Sequence, residues 1–221
     1  DTTVLLRAGR HLGLRVRLIE SRWQSLQKLP LPAIAEHDDQ RILGSFKWGL
    51  LPFWAKDRKM AARNINARVE TVAEKSSFRE SFERRRCLIP ADGFYEWQRR
   101  QKGKLPHYIH TVDEKPLAFA GLWSSWKDPE SKEKVLTCAI VTGSPNHLVA
   151  DIHDRMPVIL GADAWGPWLD RAVDDPVALG RLLEAHAEEG MAVHPVSTLV
   201  NSVRNNLPEC IQPLETGATE A

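Results

Sequence analysis

The most restrictive feature of this sequence is a succession of short apolar runs, each ended by turn-forming residues, from about residue 42 onward. The 14 prolines and 13 glycines are spread along the chain rather than concentrated in a linker. Short apolar runs bounded by such residues are typical of β-strands. The pattern therefore predicts an α+β fold in which one β-rich body carries a few peripheral helices.

The apolar runs predict the positions of individual strands and helices. The predicted strands are Ile42–Trp48, Cys87–Pro90, Tyr108–Val112, Leu117–Trp123, Val135–Thr142, Val158–Leu160 and Met191–Pro195. The predicted helices are a short one that begins at Ser144-Pro145 and runs towards Ile152, then Ala162–Leu169 and Pro176–Glu188. Ser144 is a good N-cap, and Pro145 suits the first helical position. The tail that follows Pro213, 214–221, is expected to be disordered.

Charge alone does not identify a nucleic-acid-binding protein. The chain has 30 basic and 29 acidic residues, a formal net charge of +1. A basic surface must therefore come from local clusters. Two of these are the run Arg84–Arg86 and the run Arg99–Lys104. Each run on its own is most typical of a solvated face.

The cysteines and the apolar segments indicate the cellular environment. Cys87, Cys138 and Cys210 are odd in number and widely spaced, which argues against a disulfide framework and a structural zinc site. No apolar run approaches the ~20 residues needed to cross a bilayer. We therefore expect a soluble, cytoplasmic protein without a membrane partner. The histidines and acids show no metal-ligand spacing, so we expect neither a metal nor an organic cofactor.

Glu96 is a candidate general acid or base. It lies between Phe94, Tyr95 and Trp97, and aromatic surface would remove water from its carboxylate and raise its pKa. The alternative is an outward-facing residue on a strand whose aromatic neighbours point inward. The local sequence leaves both interpretations open.

Cys87 precedes an apolar run, and we therefore expect its side chain to be buried.

His153 is the second candidate catalytic residue. It belongs to a polar group that interrupts two strongly apolar segments, and Asp151, Asp154 and Arg155 flank it. Such neighbours can orient the ring and influence its charge near neutral pH. A lone histidine is weak evidence, because most histidines are structural or solvated.

Asn66 and Arg68 are candidate binding residues because alternate residues of an extended segment point the same way. They follow Trp48–Trp54. Arginine for phosphate and tryptophan for base stacking are the usual combination in single-strand binding grooves. Pro52 favours a loop for Trp54, so we expect Trp54 outside the core, whereas we expect Trp48 to lie in the core.

Five segments in order resemble the SRAP family, the SOS-response-associated peptidases and abasic-site processing proteins. The segments are Trp48–Trp54, Asn66–Thr71, Cys87–Trp97, Ile152–Pro157 and His194–Ser197. The resemblance extends from about residue 42 to Pro213. It implies a single domain over 1–213 with a barrel-like sheet, and a protein that recognises abasic sites in single-stranded DNA and links to them covalently. It places Asn66, Glu96 and His153 on active-site positions and Arg68 and Trp54 on DNA-binding positions. Separately, we expect the protein to be a monomer.

The resemblance also implies that the nucleophile is a cysteine at the mature N-terminus. A stable thiazolidine with the aldehyde of an abasic site needs an amine and a thiol on adjacent carbons, which only an N-terminal cysteine offers. The printed sequence begins with Asp1 and departs from the family pattern up to about residue 41. We therefore expect it to be inactive in crosslinking as written, and we expect residues to be missing before Asp1.

Two other functions remain open at this stage. A non-covalent single-stranded DNA binding module would show steep salt dependence and no covalent product. A thiol peptidase, including one restricted to cleavage of its own N-terminal segment, would need a reactive cysteine.

Overall fold

The computed structural model describes residues 31–37, 40–184 and 190–214, with side-chain surroundings from residue 43 onward. The chain divides into two compact units. The first comprises Asp1–Pro90, Ala118–Gly143 and Pro157–His186. The second comprises Ala91–Leu117, Ser144–Met156 and Ala187–Ala221.

The larger sheet belongs mainly to the first unit. Its strands are β1 (Leu31–His37), β2 (Gln40–Trp48), β3 (Asn66–Arg68), β4 (Arg86–Ala91), β7 (Leu117–Lys127), β8 (Lys134–Gly143) and β9 (Met156–Pro157). They follow the order β2-β1-β4-β7-β8-β3, and β9 also pairs with β8. Strand β2 pairs with β8 as well as with β1, so five strands form a closed ring. The predicted α+β class with a mixed, barrel-like sheet is confirmed.

The smaller sheet belongs to the second unit. It contains β5 (Gly93–Arg99), β6 (Lys104–Thr111) and β10 (Met191–Pro195) in the order β10-β6-β5. All its pairings are antiparallel. Strands β5 and β6 form a hairpin in which Tyr95 faces Tyr108 and Glu96 faces His107.

The helices are α1 (Arg79–Arg84), α2 (His147–Ala150), α3 (Ala162–Leu169) and α4 (Pro176–Glu184), with short 3-10 turns at Arg58–Arg63, Thr198–Asn201 and Pro208–Cys210. The main core of the first unit joins alternate residues of β7 and β8 to the apolar faces of α1, α3 and α4. Its largest side chains include Trp168, Phe78 and Phe82, each at most 1% exposed. Burial of such side chains supplies most of the driving force for folding.

Most predicted elements are present, with corrections. Strand β10 and helix α3 have the predicted bounds, and β2, β4, β7 and β8 each extend beyond the prediction. The predicted strand Tyr108–Val112 begins earlier, at Lys104, and ends at Thr111. The segment Val158–Leu160 is not a full strand: Ile159 forms an isolated bridge with Phe119, and the N–H groups of Val158 and Leu160 donate to the carbonyls of Val141 and Ala118.

Helix α2 begins later than predicted. Its N-cap is Asn146, whose side-chain oxygen accepts a hydrogen bond from the Val149 backbone N–H, so the N-cap role predicted for Ser144 is wrong. Helix α4 is described to Glu184, and the rest of its predicted span, 185–188, lies outside the described residues. The predicted tail also lies outside them, except for Leu214, whose N–H donates to the Pro195 carbonyl. Strands β1, β3 and β5 and helix α1 were not predicted.

Candidate functional site

Strand β5 holds Glu96 at its centre, on the face that also carries Phe94 and Gln98. The Glu96 side chain is 21% exposed. Burial raises the pKa of its carboxyl above the ordinary value, and the charge of Asp154 acts in the same direction. The nearby His153 and the Trp97 backbone N–H act against this, but burial prevails. A carboxyl with a raised pKa is suited to proton transfer near neutral pH.

The segment that follows α2 positions His153. Asn146 caps the helix at one end, and at the other the backbone N–H groups of Ile152 and His153 both donate to the Val149 carbonyl. These bonds fold the segment into a tight turn and direct the imidazole towards β5. His153 Nδ1 lies 3.7 Å from a carboxylate oxygen of Glu96 and 3.5 Å from one of Asp154.

The backbone of Arg155 contacts His153 at Nδ1 with both a donor and an acceptor. The Arg155 N–H lies 3.1 Å from His153 Nδ1 and can only donate. A ring that accepts this bond has no proton on Nδ1 and carries it on Nε2. The Arg155 carbonyl lies 3.0 Å from the same nitrogen. A ring with a proton on Nδ1 donates to that carbonyl instead, so both backbone groups of Arg155 hold the ring beside Glu96.

Gln98 connects strand β5 to the turn that carries His153. Its Nε2 donates to the Asp151 carbonyl at 3.1 Å. Gln98 follows Glu96 by two residues and shares its face of the sheet. Sequence reasoning missed this residue, and the spacing would have indicated it only if β5 had been predicted as a strand.

The opposite face of the smaller sheet is aromatic. Tyr108 stacks on His110, with 5.1 Å between the ring centroids, and lies 5.3 Å from the Tyr95 ring. Burial raises the pKa of Tyr108 to about 12. A Cβ atom at Gly93 would come within 2.6 Å of the Tyr108 ring and 2.5 Å of the Ile109 carbonyl. Only glycine therefore fits at the start of β5 without moving its neighbours.

Asn66 and Arg68 lie in the first unit, on strand β3. Both are exposed and flank the buried Ala67, so their side chains share one face as predicted. Strand β3 pairs in parallel with β8, which places Asn66 beside Ile140 and Arg68 beside Thr142. This pairing fixes the direction of both side chains on a strand of only three residues.

Two tryptophans of the first unit lie on its surface. Trp54 is 43% exposed beside the exposed Phe53, in agreement with its predicted place in a loop. Trp48 is 49% exposed, so its predicted place in the core is wrong. Its indole N–H donates to the Ile65 carbonyl at 2.8 Å, which holds the ring at the end of β2 rather than inside the barrel.

The structure thus brings Glu96 and His153 together in the second unit, and places Asn66 and Arg68 on one face in the first. Among the residues that the structure describes, no group of three or more His, Cys, Asp or Glu side chains is placed to hold a metal ion. The described helices are all too short or too polar to cross a membrane.

Comparisons with known proteins identify the family of this chain. The family model described as SOS response associated peptidase (SRAP) matches residues 13–203. The chain is 47% identical over 171 residues to the abasic site processing protein YoqW of Bacillus subtilis strain 168. The aligned region covers 77% of this chain and 76% of the relative. It is 38% identical over 201 residues to the abasic site processing protein HMCES of Gallus gallus. That aligned region covers 80% of this chain and 59% of the relative.

A solved structure shows the same fold. A protein from Bacteroides thetaiotaomicron superposes with a TM-score of 0.77 at 26% identity, over 96% of both chains. The family model matches most of the sequence, the relatives are more than 30% identical over most of the chain, and the solved structure has the same fold. This chain belongs to the SRAP family of abasic site processing proteins.

Proposed function

We propose that this protein recognises abasic sites in single-stranded DNA and, in a form that begins with cysteine, links to them covalently through a thiazolidine. The observation that carries the proposal is the contact between Glu96 and His153, 3.7 Å apart, in a chain whose relatives are named abasic site processing proteins. A partly buried carboxyl with a raised pKa beside an imidazole supplies the proton transfers that such a reaction needs.

The reaction proceeds through three bond changes. The α-amine of the cysteine attacks the aldehyde carbon of the ring-opened sugar, and the carbinolamine then loses water to give an imine. Glu96, in its protonated form, donates to the departing hydroxyl. The cysteine thiolate adds to the imine carbon, the nitrogen takes up a proton, and the five-membered ring closes. Nothing is oxidised or reduced, and one water leaves overall.

The remaining site residues have binding roles in this proposal. His153 orients the opened sugar and exchanges protons with Glu96, and Asn66 positions the sugar or the imine. Arg68 holds a phosphate, since guanidinium binds phosphate through strong charge-assisted hydrogen bonds. Trp54 offers an exposed ring on which a base can stack, which contributes about 1–3 kcal/mol per base.

The thiol peptidase alternative is weakened by the state of Cys87. Its side chain is fully buried, and burial raises the pKa of its thiol well above the ordinary value. The thiolate is the nucleophile in such enzymes, so a cysteine of this kind is a poor candidate. A non-covalent DNA-binding module remains the second candidate function, because the exposed Trp54 and Arg68 suit binding without chemistry.

The deciding experiment compares the printed chain with a version that begins Cys-Gly-Arg before Asp1. Each is incubated with a single-stranded oligonucleotide that contains an abasic site, followed by denaturing electrophoresis and intact mass measurement. We expect a stable adduct from the cysteine-initiated form, with the mass of protein plus DNA less one water. Binding without an adduct from either form would favour the non-covalent module, and the absence of binding would contradict the whole proposal.

A further inference from the structure

The turn end of hairpin β5–β6 carries a concentration of positive charge. Arg99, Arg100, Lys102 and Lys104 are exposed there, with only Gln101 and Gly103 between them. We propose that this basic hairpin tip, defined by those four basic residues, binds backbone phosphates of the DNA strand on one side of the abasic site. The proposal rests on the proposed function, because it concerns the path of the same DNA strand beyond Glu96.

The charges at the basic hairpin tip are not neutralised within the described part of the chain. None of the four residues forms an ion pair there, and the guanidinium of Arg100 donates to the neutral side-chain oxygen of Gln98, at 3.3 Å. Arg99 and Lys104 are also direct cross-strand partners. Like charges directly opposite each other on antiparallel strands are destabilising. The hairpin therefore keeps a repulsive pair of positive charges, Arg99 and Lys104, and a bound anion would reduce that repulsion.

A second hairpin of the same protein shows the contrast. Hairpin β7–β8 also closes on two like charges, Lys127 and Lys134. Its turn, however, contains Asp128, Glu130 and Glu133, and two of these carboxylates bind Arg58. Positive charge there is balanced by acids within the same turn. The β5–β6 turn has no acidic residue, so its charge is directed outward to solvent.

The basic hairpin tip is held in a defined place relative to Glu96. The Arg100 N–H donates to the Gly103 carbonyl, and Gly103 has a φ of 78°, which a residue with a side chain adopts only under strain. Arg99 lies three positions, about 10 Å, beyond Glu96 on the same strand; its side chain and that of its partner Lys104 point to the opposite face, whereas the Arg100 side chain bonds Gln98 on the Glu96 face. A DNA strand with its lesion at Glu96 reaches the tip within a few nucleotides. Phosphates recur along that path, whereas bases need not face it.

The test uses two matched triple variants of the full chain. One replaces Arg99, Lys102 and Lys104 with Gln, and the control replaces Lys127, Lys132 and Lys134 with Gln. The non-covalent Kd is measured by fluorescence anisotropy over a salt series, with a single-stranded oligonucleotide that carries tetrahydrofuran, an unreactive abasic analogue. Each phosphate contact contributes about 0.7 to the slope of log affinity against log salt on single strands. We expect the slope of the tip variant to fall by about 2, with affinity weakened roughly tenfold or more, while the control stays at the parent value.

Oligonucleotides cut back on one side of the lesion locate the contact. Removal of the flank that reaches the basic hairpin tip should make the tip variant and the parent bind alike, whereas removal of the other flank should leave their difference intact. Equal slopes for the parent and both triple variants on the full-length oligonucleotide would overturn the proposal. So would equal losses in the two triple variants, because the effect would then be one of overall charge.

A single substitution separates binding from folding. Lys104→Glu converts the repulsive pair with Arg99 into an attractive one, so we expect the Tm to rise while DNA affinity falls several-fold. An unchanged affinity in this variant would contradict the proposal. Crosslinking by the cysteine-initiated parent is measured in parallel. A parent that binds but does not crosslink contradicts the proposed chemistry and leaves the salt-slope test intact, whereas a parent that does not bind overturns both.

Discussion

At Glu96, burial and the proximity of His153 act in opposite directions on the pKa of one carboxyl group. Burial disfavours the charged form, and an imidazole 3.7 Å away favours it when protonated. The net effect is a raised pKa. The direction was predicted from three aromatic neighbours, but Tyr95 and Trp97 lie on the other face of the strand, and only Phe94 shares the face of Glu96.

The raised pKa predicts the behaviour of Glu96→Gln. We expect crosslinking by the cysteine-initiated form to slow by about 10²–10⁴-fold, the usual contribution of a general acid, with single-strand affinity nearly unchanged. Single-turnover rates followed by denaturing electrophoresis measure the effect. Equal rates for variant and parent would remove Glu96 from the mechanism.

The raised pKa also predicts how Glu96→Gln changes the stability of the folded protein. A carboxyl whose pKa is raised by folding contributes stability that is fully present below the pKa of the unfolded chain and is lost as pH rises through the folded pKa. Glu96→Gln should therefore be at least as stable as the parent at neutral pH, and this difference should vanish in acid. Chemical denaturation across pH tests this, with the exposed Glu74→Gln as the control. A variant that is less stable only at neutral pH would reverse the assigned direction.

The two nitrogens of His153 can be separated by substitution. Asn at this position places a side-chain oxygen near the position of Nδ1, where it can accept from the Arg155 N–H, but it lacks Nε2 and cannot titrate. We expect His153→Asn to keep the parent Tm and to lose most of the crosslinking rate, whereas His153→Ala should lose both. If His153→Asn crosslinks at the parent rate, the ring serves only to hold the turn.

At the scale of elements, Arg86 at the start of β4 joins parts of the first unit that are distant in sequence. It is 3% exposed, and its guanidinium lies 5.7 Å from the centroid of the Trp168 ring. It donates hydrogen bonds to the carbonyls of Phe82, Glu83, Trp168, Asp170 and Val173. Burial lowers its pKa to about 10. The prediction that the run Arg84–Arg86 forms a solvated face is therefore wrong for Arg86, although Arg84 is exposed.

The hydrogen bonds of Arg86 predict a large loss of stability on truncation. Arg86→Ala leaves buried carbonyls at the ends of α1 and α3 without a donor, and we expect it to cost about 3–5 kcal/mol of unfolding free energy. Arg86→Lys should recover only part of this, because an ammonium cannot reproduce the planar fork. Urea denaturation measures the difference, and Arg84→Ala is the matched control, with an expected change within about 0.5 kcal/mol. Similar losses in both variants would contradict a specific role for Arg86.

Elements with a regular pattern were predictable, and those whose formation depends on a neighbour were not. Strand β10 and helix α3 follow apolar patterns that match their bounds. Strand β5 mixes aromatic and charged residues on two half-buried faces, so it lacks the alternation that marks a strand. Strand β3 has three residues and is ordered by pairing with β8. Near α2, Ser144 and Asn146 are both good N-cap residues, and only the fold selects between them.

At the scale of the whole molecule, the described structure buries every cysteine of the printed sequence. Cys87 and Cys138 are 0% exposed and Cys210 is 5% exposed. Burial raises the pKa of the Cys87 thiol, and that of Cys138 to about 12. Because thiol reagents attack the thiolate, a buried cysteine reacts only when the protein opens.

This arrangement predicts slow, stability-controlled labelling of the printed chain by a thiol reagent. We expect reaction with dithionitrobenzoate to be negligible in native buffer and complete in denaturant, with rates that rise in parallel for destabilised variants such as Arg86→Ala. The cysteine-initiated form should show one additional thiol that reacts at once. Rapid native labelling of Cys87 would contradict its burial and restore the thiol peptidase alternative.

The sequence by itself determined the fold class, the burial of Cys87 and the choice of Glu96, His153, Asn66 and Arg68 as candidates, because these depend on residue type and local pattern. The tertiary structure decided which of them meet. The 3.7 Å contact between Glu96 and His153, the exposure of Trp48 and the burial of Arg86 all depend on contacts between segments distant along the chain. Local patterns carry no information on such contacts, since each follows from how the elements within one unit pack once their own hydrogen bonds and apolar faces are satisfied.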